Sequence, residues 1–374
     1  MVARTNSKRK VVRYAVVGLG HIAQVAVLPA FKHAAKNSEL AAIVSDDDQK
    51  RREIGEMYGL TRTYTYAQFD DCLRSGEIDA VYIALPNSMH REFTERAARA
   101  GVHVLCEKPM AVTEEECQSM IAACADNSVK LMIAYRLHFE PANLRAIDIV
   151  KSGQIGEPKY FNSAFSLPVV AGNIRVEREM GGGTMYDIGV YCINAARYLF
   201  RANPLEVTAM SANSGESRFE GVDETTGVVM RFPGERIASF VCSFSGADLS
   251  SYQIVGTKGV LRLEPAYDYA TKLKHHLTID GKTKSKTFAQ KDQFAPELIY
   301  FSSCILRNKE PEPSGEEGLI DVHIVRAIYE SARSRKTVKL DALPADKPPH
   351  ASQEITRPAV RKPELVNVSS PSGE

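Results

Sequence analysis

The stretch RYAVVGLGHIAQVAV (Arg13–Val27) decides the fold. Tyr14 to Val17 form a short apolar run that reads as a first β-strand. The run enters Gly18-Leu19-Gly20-His21-Ile22-Ala23, spaced G-x-G-x-x-A. In that spacing Gly18 permits a tight turn, Gly20 lets backbone approach a pyrophosphate, and Ala23 allows a helix to pack closely on the strand. The amides at the helix start then face phosphate oxygens. Such a glycine motif has weight only between a strand and a helix. HIAQVAVLPAFKHA supplies the helical period, although Pro29 interrupts it.

Strand and helix patterns keep alternating downstream: LAAIVS, DQKRREIGEMYG, AVYIALP, HREFTERAARAG, HVLCEK, TEEECQSMIAACADN and KLMIAY. Thr113 and Glu116 form a capping box at the head of one of these helices. The alternation implies a parallel sheet wound by right-handed crossovers. After Phe139 the pattern changes to longer strands, among them PKYFNSAFS, LEVTAMSA, TTGVVMRF, RIASFVCSFS, SYQIVG, GVLRLE and HHLTI, a mostly antiparallel sheet. The fold class expected is α/β: a dinucleotide-binding Rossmann domain (1–138), an α/β domain with a large open sheet (139–340), and a Pro-rich tail (341–374), mobile or surface-hugging. Too few helices follow the second sheet to cover both its faces. A homodimer or homotetramer through that sheet is expected, with Val228, Met230 and Phe232 on the shared face.

Of the 374 residues, 44% are apolar and 25% charged, an ordinary globular balance. Lys and Arg total 47 against 46 Asp and Glu, so the basic excess of a nucleic-acid binder is missing. The basic run Lys8–Lys10 reads as a solvated arm. No segment has the length and apolarity of a membrane span. Seven cysteines stand singly, with no Cys-x-x-Cys pair and no export signal, which points to reduced thiols and a cytoplasmic location. Nine histidines show no ligand spacing, so no metal is expected.

The stretch VHVLCEKPMAV (Val102–Val112) places Glu107, Lys108 and Pro109 at the carboxyl end of a buried-looking strand, where ligands of open α/β sheets bind. ALPNSMH (Ala84–His90) ends the preceding strand. It puts Leu85, Pro86 and Asn87 beside the adenosine–ribose side of a dinucleotide, with Asn87 as a helix cap the plainer alternative; His90 joins the same cofactor-binding set. In GGGTMYDIGVYCINAARYL, Asp187 and Tyr191 stand four apart, on one helix face. A half-buried core tyrosine bonded to backbone is the other reading of Tyr191. Gly181, Gly182 and Gly183 let backbone approach a ligand or make a flexible loop. Arg136 stands at a domain junction, and Tyr267 and Tyr269 are weaker candidates from the second sheet.

Together VGLGHIA, AVYIALPNSMHREF, GVHVLCEKPMAVT, LMIAYRLHFEP and GGGTMYDIGVYCINAARYL resemble the Gfo/Idh/MocA oxidoreductase family, and most of all its glucose–fructose oxidoreductase branch. The resemblance runs from about Val11 to Leu340. It implies hydride transfer between nicotinamide and a sugar or cyclic polyol. Lys108 would sit under the nicotinamide and point at the reacting oxygen, Glu107 would line the nicotinamide riboside, and Pro109 would pin the turn, with a cis bond an option. Tyr191 would be the base, activated by Lys108, where many members have histidine; Asp187 would hold the substrate hydroxyl. Gly18, Leu19, Gly20, His21, Ile22 and Arg136 would contact the cofactor. Ser45 and Lys50 match positions that meet a 2′-phosphate, while Asp46 departs from that pattern and suits a ribose diol. NADP is therefore expected, with NAD the alternative. A non-catalytic dinucleotide sensor and a dihydrodiol dehydrogenase are the rival functions.

Overall fold

Six parallel strands occupy the first third of the chain: β1 (Val12–Val17), β2 (Ser38–Val44), β3 (Thr63–Tyr64), β4 (Ala80–Ile83), β5 (His103–Glu107) and β6 (Leu131–Ala134). In the computed structural model, which describes residues 11–341, 343 and 347–373, they lie in the order β3-β2-β1-β4-β5-β6. The basic run at Lys8 lies outside the described residues. The order reverses between β1 and β4, so the connections leave on opposite sides and open a crevice at their carboxyl ends. Helices α1 (Leu28–Ala34), α2 (Asp48–Tyr58), α3 (Phe69–Arg74), α4 (His90–Arg99) and α5 (Glu114–Asp126) connect the strands. Pro29 does not break its helix. The chain makes a π-turn over Ala23–Val27, and Pro29 then falls in the first turn of α1, where a missing N–H is tolerated.

The second sheet has nine strands: β7 (Pro158–Ser166), β8 (Glu206–Ala212), β9 (Thr225–Phe232), β10 (Arg236–Ser243), β11 (Leu249–Gly256), β12 (Gly259–Leu263), β13 (Leu273–Ile279), β14 (Lys282–Phe288) and β15 (Val338–Lys339). They run in the order β14-β13-β12-β11-β7-β10-β9-β8-β15, antiparallel except for β7 beside β10. Helices α6 (Pro141–Lys151), α7 (Val190–Phe200), α8 (Ala295–Arg307) and α9 (Gly315–Ser334) complete the fold. Helix α7 packs on β7, and α9 lies between β8 and α5. Helix α8 follows the second sheet in sequence yet packs on β1 and β2 of the first, where Tyr14 Oη and Ser302 Oγ are 2.7 Å apart.

Arg197 of α7, wholly buried, meets Glu317 at 2.8 Å and Asp321 at 2.7 Å on α9. Losing one partner of such a buried set leaves an uncompensated charge, which fixes α7 against α9.

The face expected from Val228, Met230 and Phe232 is corrected: these side chains are buried under the helices. Their alternates are exposed. Tyr160, Met210, Val229, Ile237, Val241 and Leu249 point away from the helices, and together they make an apolar outer face. The tail is docked rather than loose. Gln24 donates to the Val366 carbonyl at 2.9 Å and accepts the Val366 N–H at 2.8 Å, Asn367 donates to Asp47 at 2.6 Å, and Val170 N–H reaches the Pro371 carbonyl at 3.0 Å. The segment thus runs from the glycine-turn helix to the loop after β7.

Candidate active site

Strand β1 ends at Gly18, whose φ of +92° is a left-handed conformation. A Cβ there would come within 2.5 Å of the Ala84 carbonyl at the end of β4, so only glycine fits. A Cβ built on Gly20 meets nothing within 4 Å. Its backbone borders open space at the switch point, as a pyrophosphate cradle requires. Leu19 is buried, while His21 and Ile22 are half-buried. Burial, then Arg175 and Lys362, lower the His21 imidazole, so it is neutral at neutral pH.

At the end of β2, Ser45 is buried and its hydroxyl accepts the Asp47 N–H at 3.3 Å. Asp46 turns outward and accepts the Tyr66 N–H at 2.7 Å. Asp47 caps α2 by accepting from Lys50 N–H at 3.0 Å, and its other oxygen lies 3.7 Å from Lys50 Nζ. Arg51 bonds the Ser45 carbonyl and Asp48.

At the end of β4, Leu85 is buried and Pro86 and Asn87 are half-buried. Asn87 is not a helix cap; its amide donates to the Gly181 carbonyl at 2.8 Å. His90 is withdrawn from the crevice. Its ring is wholly buried, with Nδ1 2.9 Å from the Pro109 carbonyl and Nε2 2.9 Å from the Leu85 carbonyl. It joins the two turns that frame the crevice instead of reaching into it. The three glycines before the π-turn are likewise approached by the protein itself, since a Cβ on Gly182 would lie 2.5 Å from the Arg175 carbonyl.

Strand β5 delivers Glu107 and Lys108, followed by a cis Lys108–Pro109 bond. Glu107 points under the sheet, where it accepts Tyr82 Oη at 2.8 Å and Lys108 N–H at 3.2 Å; burial raises its carboxyl. Lys108 Nζ donates to the Asp187 carbonyl at 2.7 Å and to Asp187 Oδ1 at 3.1 Å. Asp187 Oδ2 accepts Arg175 Nε at 2.6 Å. Burial opposes the anion, but Arg175 and Lys108 outweigh it and hold Asp187 down to about 2. Burial likewise works against the charged lysine, and Asp187, Tyr191 and Glu107 more than offset it, so Lys108 is raised. Lys108 is thus a fixed cation and Asp187 a fixed anion. Each Asp187 oxygen has a cationic partner, and each keeps a second lone pair with which to accept a substrate hydroxyl.

Asp187 lies in a π-turn (Met185–Gly189) and Tyr191 in the first turn of α7, and both face Lys108, whose Nζ is 5.1 Å from the Tyr191 ring centroid. The Tyr191 hydroxyl is not bonded to backbone. It accepts Arg136 Nε at 3.2 Å. Tyr269 lies over the same guanidinium at 5.4 Å, whereas Tyr267 is wholly buried behind Tyr191 and bonds Ser163 Oγ at 2.7 Å. Arg175 and Gln293 were not foreseen. Arg175 is one of two arginines in a loop without periodicity, and no local signal marks it. Among the described residues, no cluster of three or more His, Cys, Asp or Glu side chains can hold a metal ion.

A glycine cradle, a fixed cation and a phenol thus meet at the carboxyl end of a parallel sheet, an arrangement suited to hydride transfer with proton removal. Residues 12–135 match the GFO/IDH/MocA oxidoreductase family with its NAD-binding Rossmann fold, and residues 143–262 match the GFO/IDH/MocA C-terminal domain. The D-xylose 1-dehydrogenase [NADP(+)] of Haloarcula marismortui is 35% identical over 343 residues, covering 88% of this chain and 93% of that protein. The structure of an aldose–aldose oxidoreductase from Caulobacter crescentus, complexed with glycerol, shares 38% identity at a TM-score of 0.84, over 89% of this chain and 100% of that one. A 3-ketoreductase from Actinomadura kijaniata, in complex with NADP and TDP-benzene, shares 25% identity at a TM-score of 0.78, over 86% and 98%. The chain belongs to the GFO/IDH/MocA family of oxidoreductases.

Proposed function

We propose that this protein is an NADP-dependent oxidoreductase that removes hydride from a ring carbon of an aldose or a cyclic polyol, or returns it. The observation that carries this reading is the contact of Lys108 with Asp187 beside the Tyr191 phenol, at the mouth of the glycine-lined crevice. NADP supplies the hydride acceptor when bound. Gly18, Leu19, Gly20, His21 and Ile22 would cradle its pyrophosphate, and Leu85, Pro86 and Asn87 would border its ribose. The outward turn of Asp46 leaves the Ser45 hydroxyl and the Lys50 ammonium to receive a 2′-phosphate, which favours NADP over NAD. The D-xylose dehydrogenase of Haloarcula and the aldose–aldose oxidoreductase of Caulobacter support the substrate class.

In the oxidative direction Tyr191 takes the proton of the substrate hydroxyl. Lys108, held by Asp187, orients that oxygen and stabilises the negative charge developing on it. Asp187 moves no proton; it keeps the ammonium aimed and charged. The second sheet would close a homodimer or homotetramer through its outer face. Seven free, buried cysteines suit a reducing cytoplasm. A panel of aldoses and polyols offered with NADP, read by reduced-nicotinamide absorbance, tests this function. Turnover of a pyranose or cyclic polyol supports it, and no turnover of any such compound by cofactor-loaded protein would overturn it.

A further inference from the structure

Arg136 follows β6 in a short turn, is 6% exposed, and spends its three nitrogens on neutral oxygens. Nη1 donates to the Gln293 side-chain carbonyl and Nη2 to the Tyr267 backbone carbonyl. Gln293 is itself oriented by donating to the Asp268 carbonyl at 3.0 Å. That leaves Nε, which points at the Tyr191 hydroxyl. The guanidinium Cζ lies 4.9 Å from the Tyr191 ring centroid. None of these three acceptors is a carboxylate, so the positive charge is not cancelled by an ion pair. Lys108, the other cation, sits against the ring while its ammonium is bonded to Asp187.

We propose that Arg136 is the residue that sets the proton affinity of Tyr191, by donating Nε–H to the phenol oxygen and favouring the phenolate. A hydrogen bond from a charged donor is stronger when the accepting oxygen is ionised, and the Tyr191 oxygen that takes it is partly buried. Lys108 is then free to serve the substrate oxygen, and the two cations divide the work assigned above to Lys108 alone. The inference rests on Tyr191 being the base of the proposed reaction. Arg136 acts through Tyr191 and is a positioning residue.

The groups facing the phenol come from several elements. Lys108 follows β5 and Arg136 follows β6. Tyr267 and Tyr269 come from the loop after β12. Behind Lys108 stand Asp187 and Arg175, and around Arg136 lie Glu107, Glu140 and Glu297. Burial raises all three glutamates, and none of them is hydrogen-bonded to the guanidinium, whose three nitrogens go to Gln293, Tyr267 and Tyr191.

The test uses Arg136→Met and Arg136→Lys in the full chain. Tyrosinate absorbance is titrated, and the same titration of Tyr191→Phe is subtracted to isolate Tyr191. The Tyr191 transition should move up by about one pH unit or more in Arg136→Met and by less in Arg136→Lys. The alkaline-rising limb of kcat for sugar oxidation should move with it, so the rate below the limb falls about tenfold or more and recovers above it. A Tyr191 transition unmoved in Arg136→Met, or a kcat loss equal at every pH, would overturn the proposal. The absorbance arm needs no substrate, so a protein that oxidises no sugar still reports on Arg136. If Arg136→Met does not fold, Arg136→Lys decides alone: no shift in its Tyr191 transition overturns the proposal, and an upward shift supports it.

Discussion

Replacing Asp187 by asparagine keeps the shape of the side chain and removes its charge. Asp187 is held at about 2 against an ordinary value of 3.8, and its side chain is only 15% exposed. The difference converts to about 2 kcal/mol by which the fold favours the anion. Because the folded-state value is depressed, this stability is full above the unfolded value and disappears as pH falls through the folded one. Asp187→Asn should therefore be about 2 kcal/mol less stable at pH 7, with Lys108 and Arg175 left facing a neutral amide. The gap should shrink as pH falls from about 4 towards 2, where the wild-type carboxylate is itself protonated. Urea unfolding of both proteins across this range measures the gap. Kcat should also fall by about tenfold or more, since Lys108 loses the anion that aims it. A variant as stable as wild type at pH 7, or a gap that widens towards acid, would refute the reasoning.

Lys50→Glu should weaken NADP binding by about ten- to a hundredfold and leave NAD nearly untouched; equal losses for both would remove Lys50 from the 2′-phosphate site. Gln24→Ala strips three hydrogen bonds, to the Leu19 carbonyl and to both backbone groups of Val366. It should cost about 2 kcal/mol and expose the tail beyond Arg361 to protease, and unchanged unfolding and cleavage would contradict the docking described. Val229→Glu combined with Val241→Glu puts two charges on the outer face of the second sheet. It should turn an oligomer into a monomer by light scattering at micromolar concentration, whereas a monomeric wild type would contradict the assembly proposed.

Local chemistry was readable in the sequence, and long-range chemistry was not. Gly18 and Gly20 announce themselves because a strand, a turn and a helix meet within a dozen residues. Asp187 and Tyr191 could be paired from their spacing, although the π-turn between them could not. Arg175 and Gln293 come from distant loops, and nothing in their own neighbourhoods says where they point. Period-two alternation in TTGVVMRF shows two faces but not which one the helices cover, so Val228, Met230 and Phe232 were placed on the shared face although they are buried. Strand β14 (KTKSKTF) was missed because its side chains are nearly all exposed and show no apolar face. The Asp280–Gly281 pair before it, with φ of +49° and +72°, was the overlooked hairpin signal. His90 sits in the motif that frames the crevice, yet the motif does not reveal that its ring turns inwards.

The central claim is that Tyr191 carries the proton in a sugar oxidation aided by Lys108. The most direct measurement is single-turnover reduction of bound NADP by a substrate sugar in Tyr191→Phe, beside the affinity of the same variant for NADP. The account predicts a rate lower by about a hundredfold or more, with cofactor affinity unchanged. A rate within a few-fold of wild type, with cofactor fully bound, would contradict it.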